Sequence, residues 1–163
     1  MGLIRNIVVG VSGTGLAASV AFSLGGFDNT TRDETGQIVE SGEISVFNLQ
    51  PGDCLADLNF SNEEVEQSVG VPCTEAHRFE VFAETTIKGL DGFSQEAIFA
   101  EADDFCGSRF DEYVGIPVND TTLSVGYLYP TRESWANGDN EVTCYLSNES
   151  ETVVYESWKD SML

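Results

Sequence analysis

No charged residue occurs between Arg5 and Asp28, and beyond Asp28 the chain is strongly acidic. The run from Ile7 to Phe27 is apolar or small, close to the ~20 residues a helix needs to cross a bilayer core. Arg5 and the amino terminus precede it and acids follow it. By the positive-inside rule the N-terminus stays cytoplasmic and the remainder lies outside the membrane. Residues 1–27 are therefore expected to be a single transmembrane anchor. A cleaved signal segment is the competing reading, with small-residue sites near Ser19-Val20-Ala21 or Ser23-Leu24-Gly25. The first site truncates the apolar run and the second lies at its very end, which favours the anchor. Small residues recur four apart: Gly13, Ala17 and Ala21 on one face, Gly10, Thr14 and Ala18 on another. Such spacing lets a second helix approach closely inside a bilayer.

The same stretch offers two false leads. Gly10, Gly13 and Gly15 after Ile7-Val8-Val9 look like a phosphate loop, but a polar, acidic segment follows where a second strand would be needed. The myristoylation pattern fails at Asn6.

Asp and Glu total 28 against 7 Lys and Arg, a net charge of −21. Nucleic-acid binding rests on cations that neutralise phosphates, so it is excluded as a function class. Anionic lipid headgroups would repel the same surface. The acidity suits a solvated coat, a docking surface for a basic partner or a weak divalent-cation site. No acidic run has the spacing of a Ca²⁺ loop. No cofactor is expected.

Residues 28–45 are polar, acidic and aperiodic, and read as a linker that holds the following domain, 46–163, off the membrane. Asn29, Asn119 and Asn148 open Asn-x-Ser/Thr sequons, which matter only in a eukaryotic secretory pathway. All four cysteines, Cys54, Cys73, Cys106 and Cys144, lie on the outer side. An even count in an exported domain points to two disulfides. Of three pairings, Cys54–Cys73 with Cys106–Cys144 is expected: the first closes a short loop and the second staples a helix to a strand. Zinc is the alternative, since Cys73 and His77 form a Cys-x₃-His pair that Cys54 could join. The close cysteine pairs of structural zinc sites are missing.

The pattern predicts strands at Ile44–Leu49, Phe79–Ile87, Leu123–Tyr129 and Glu141–Leu146, with a helical turn near Asn62–Gln67. Phe79, Val81, Ala83, Thr85 and Ile87 are expected on one face. Ser94 is a fitting N-cap for a helix from Gln95 to Val114, stopped by Gly115 and Pro117. Its apolar face carries Ile98, Ala102, Phe105, Cys106, Phe110 and Tyr113, while Phe99 lies off it. The fold class is α+β: a small antiparallel sheet with one long helix on a face, two disulfides and a preceding transmembrane helix.

Gly52-Asp53-Cys54, Val71-Pro72-Cys73 with His77 and Glu80, Cys106 with Phe110, and Pro130, Trp135, Gly138-Asp139 and Val142-Thr143-Cys144 together resemble the actinobacterial septum formation domain. The likeness runs from Val46 to Ser161. Ala76 and Asn140 depart from it, standing where the family commonly has a proline and a basic residue. The resemblance implies an envelope location and a link to cell division, and it transfers no catalytic residue. His77 with Glu75 or Glu80 could serve acid–base chemistry. The preferred reading is that His77, Glu80, Trp135 and Asp139 form a surface or loop-ordering motif. The chain is then a non-enzymatic, membrane-anchored extracytoplasmic interaction module, an accessory of a membrane or envelope protein complex. The alternative is an exported domain that binds cell-wall material or a divalent cation.

Overall fold

The computed structural model describes residues 28–60, 65–148 and 152–163. The expected anchor, with Gly10, Gly13, Ala17 and Ala21, lies outside them. Among the described residues no helix is long and apolar enough to cross a membrane.

The centre is an antiparallel pair, β6 (Phe79–Thr86) and β8 (Glu141–Asn148), whose aromatic and β-branched residues suit a pleated, half-buried surface. Strand β7 (Leu123–Leu128) extends it on one side. On the other side lie β4 (Cys54–Leu55), β5 (Gln67–Val71) and β3 (Gly42–Ser45), giving the order β3-β5-β4-β6-β8-β7. Helix α1 (Gln95–Val114) packs on one face, burying Ile98, Ala102, Cys106, Phe110 and Val114 at i, i+4 spacing. Ser94 caps its first turn and Gly115, at φ 94°, ends it in the left-handed region. A short helix, α2 (Arg132–Ala136), opens with a capping box between Thr131 and Ser134.

Both expected disulfides form, Cys54–Cys73 and Cys106–Cys144, the second joining α1 to β8. With the sulfurs bonded to each other, the zinc reading of Cys54, Cys73 and His77 falls away.

Three expectations change. Residues 28–45 do not hang free as a tether. Thr31–Arg32 (β1) pairs with Ile38–Glu40 (β2), and β3 belongs to the main sheet. The turn between β1 and β2 is built by Asp33, whose carboxylate accepts from the Thr35 and Gln37 amides while Gly36 takes φ 88°. Ile38 is buried, its Cδ1 over Gly70 where a Cβ would sit only 2.7 Å away. Next, the chain leaves the sheet after Ser45, so Val46–Asn48 is a 3-10 turn rather than strand; of the helical turn expected near Asn62–Gln67, residues 62–64 lie outside the described residues and Gln67 already begins β5.

The third change concerns β6. A bulge at Phe82 shifts its pairing with β8: Val81 faces Tyr145 but Ala83 faces Cys144. One extra residue reverses the side-chain phase. Val81 and Phe79 accordingly join the core with Ile44 and Leu55, whereas Phe82, Ala83 and Ile87 join the core beneath α1. The five residues expected on one face are divided between two.

Candidate functional site

Glu80 is register partner to Cys54 and is fully buried. A buried carboxylate needs donors on both oxygens, and Glu80 has them. Tyr113 Oη donates to Oε1 at 2.7 Å, Ser157 Oγ to Oε1 at 2.5 Å, and the Trp158 amide to Oε2 at 2.7 Å. Burial, and then the adjacent carboxylate, holds the Tyr113 hydroxyl well above the ordinary phenol range, so it stays a donor. The carboxylate thus fastens the end of α1 and the C-terminal segment to the sheet. Trp158 is buried in the α1-side core, and the Asp160 and Met162 amides donate to the Tyr113 and Val114 carbonyls that end α1.

His77 sits beside this network, also fully buried, its ring edge-on to Trp158 at 5.9 Å between centroids. Its backbone pairs with Val154 in both directions. Nδ1 donates to the Glu75 carbonyl at 2.8 Å, and Nε2 has no hydrogen-bond partner. Of the residues expected in a surface or loop-ordering motif, His77 and Glu80 are buried and form an internal clamp on the chain's end. Cys54, Cys73 and Glu80 place ligand-type atoms within 4.8 Å of one another, but the sulfurs form the disulfide and both carboxylate oxygens are engaged.

Trp135 and Asp139 belong to a different place. Trp135 meets Phe93 edge-on at 6.3 Å, and Arg132 stacks its guanidinium over that Phe93 ring. Asp139 orders the turn into β8 by accepting from the Glu141 amide at 3.2 Å. Their contacts, to Phe93 and to the Glu141 amide, lie apart from the Glu80 network. They act as turn anchors.

Sequence reasoning passed over Arg32, and it held Asp53 only as part of the Gly52-Asp53-Cys54 motif, without a role. Asp53 is buried in the turn before β4 and takes two bonds from the Arg32 guanidinium, at 2.5 and 2.7 Å, plus one from the Gln50 amide at 2.8 Å. The bond to Asp53 is the main influence raising the Arg32 pKa. The available signal was compositional: Arg32 is the lone cation between Asp28 and Ser45.

Tyr113 and Ser157, which hold Glu80, also line a cavity of about 470 Å³ with Pro51, Phe82, Arg109 and Lys159. The bulge at Phe82 and the C-terminal segment meet there. Arg109 and Lys159 reach this recess of mixed polar and apolar lining, where Glu112 pairs with Arg109 at 3.1 Å. A second cavity, about 410 Å³, is acidic, with Asp28, Glu84 and Glu141 on its wall. Burial, Glu141 and Asp53, in that order, raise the Glu84 pKa.

A family model described as septum formation matches residues 50–161. The chain belongs to the septum formation family. LppN of Mycobacterium tuberculosis, designated a lipoprotein by its name, is 31% identical over 102 residues, which is 61% of this chain and 55% of LppN. LppN of Mycobacterium bovis aligns with the same figures. The chain thus spans about half the length of these relatives. No solved structure matches it. Asp53, Cys54, His77, Glu80, Tyr113 and Trp158 all fall within the family match, while Arg32 lies outside it.

Proposed function

We propose that this chain is a non-enzymatic, extracytoplasmic envelope protein, held at the membrane through residues 1–27, which acts as an accessory of a membrane or envelope protein complex linked to cell division. The carrying observation is the fate of the two groups best suited to acid–base work. Glu80 is fully buried with both oxygens engaged, and His77 is fully buried beneath the chain's end. Neither can reach a substrate, so they serve the fold. Two disulfides in a septum formation domain, and a relative whose name calls it a lipoprotein, support an oxidising location outside the cytoplasm.

Pull-down of the full-length protein from its native membrane in mild detergent, followed by mass spectrometry, tests this reading. A stoichiometric partner recovered with residues 1–27 intact is the expected outcome, and Gly13→Leu with Ala17→Leu should reduce its yield. Recovery of the outer domain alone, lacking those residues, would overturn the anchored-accessory reading. The alternative, a ligand-binding domain, draws on the recess with Arg109 and Lys159. A thermal shift with soluble wall fragments, absent in an Arg109→Ala, Lys159→Ala variant, would favour it.

A further inference from the structure

The two edges of the main sheet are finished differently. At β3 the chain closes its own edge. The Asn29 amide donates to the Glu43 carbonyl, the Glu43 amide to Asn29 Oδ1, and the Ser45 amide to Asp28 Oδ1. At β7, among the described residues, no strand pairs with the side away from β8. Five of its six residues are partly exposed. Edge strands are ordinarily protected by charges, prolines or covering segments. Here residues 121–131 contain no charge at all, in a chain of net −21.

What surrounds the edge says what fits it. Phe99 of α1, Tyr127 and Tyr129 form a cluster at its C-terminal end, with centroid separations of 4.7 Å for Phe99–Tyr129 and 5.8 Å for Phe99–Tyr127. Tyr129 is exposed. Helix α1, packed against β7, turns Glu96, Glu101, Asp103 and Asp104 to solvent. A neutral backbone ladder, an aromatic anchor and an acidic flank suit an extended segment with apolar and basic residues. A second copy of this chain would bring two acidic helices together instead. We propose that the β7 edge takes up such a basic, extended segment of a partner protein as an additional strand. This deepens the interaction-module reading and rests on it.

The test uses the full-length chain in detergent and a synthetic peptide of alternating Val and Lys as probe. Its control is the same peptide N-methylated at alternate amides, equal in charge but unable to pair. Amide hydrogen exchange within 123–128 should slow on binding, and N-methylation should weaken binding about tenfold or more. Ser124→Lys, which places a charge on the edge, should weaken it about tenfold with the melting temperature unchanged. Equal binding of the N-methylated peptide, or protection spread over α1 instead of β7, would reduce the interaction to charge attraction and overturn the proposal. Concentration-dependent dimerisation that protects 123–128 without peptide would also overturn it, assigning the edge to a second copy. If the membrane pull-down yields no partner while the peptide still pairs at β7, the accessory reading fails and the strand-docking edge stands.

Discussion

The half of the sheet built from β6, β8 and β7 is held by long strands, a helix and a buried carboxylate. The half built from β3, β5 and β4 has strands of only 2 to 5 residues and relies on point attachments. In the first half, apolar side chains bury against α1 along its whole length, and burial of that area drives folding. In the second, the smaller core around Ile38, Ile44 and Leu55 is closed by the Cys54–Cys73 disulfide and the Arg32–Asp53 pair. Short elements do not bury enough surface alone, so specific cross-links take over.

If that division is right, the largest single loss should come from the short-stranded half. Arg32→Ala would leave Asp53 buried, with one amide in place of a bidentate partner. Breaking a buried ion pair from one side costs on the order of 3 kcal/mol or more, and Arg32 is itself only 21% exposed. Denaturant unfolding should show this loss, and Arg32→Lys should recover only part of it, because an ammonium lacks the planar fork. A loss under about 1 kcal/mol, the range of an exposed pair, would mean that residues 28–45 contribute little to the domain.

Tyr113→Phe probes the long-stranded half at its polar bolt. Glu80 Oε1 would keep Ser157 and lose one donor, for an expected cost of about 1–2 kcal/mol. Local opening should report it as well. Amide exchange in residues 154–162 should quicken more than exchange in α1, since the C-terminal segment is what the bolt retains. Uniform quickening of both would show that the segment and the helix open as one unit.

The same contrast explains what could be read from the sequence. Helix α1 and strands β6, β7 and β8 are long enough for periodicity to show, and the cap at Ser94 and stop at Gly115 stood where expected. The cysteine pairing was legible because only one pairing joined a helix to a strand and closed a short loop. Strands β1 and β2 were hidden, since 2 or 3 residues carry no period and the Asp33 turn resembles linker composition. The bulge at Phe82 was hidden for another reason: Phe79-Glu80-Val81-Phe82-Ala83 alternates acceptably in either phase, and only pairing with β8 decides where the extra residue goes. The burial of Glu80 was hidden because its three donors come from residues up to 78 positions away.

The smallest effect lies where the two halves share a wall, at Glu84. Its carboxyl is pushed above the usual carboxylate range by burial, then by Glu141 and Asp53. The folded state therefore holds this proton more tightly than the unfolded chain does. The stabilising contribution of protonated Glu84 is complete below the unfolded value of about 4.3 and is lost as pH rises through the higher folded value. At neutral pH the ionised side chain is a net cost, so Glu84→Gln should stabilise the domain. Because the side chain is largely exposed, solvent screening limits the gain to a few tenths of a kcal/mol. Melting temperatures of the two proteins should differ at pH 7 in low salt, converge as the pH falls towards 4, and approach one another at high salt. A gain that persists at acidic pH would come from packing of the amide, and Glu84 would then be no electrostatic link between the two halves.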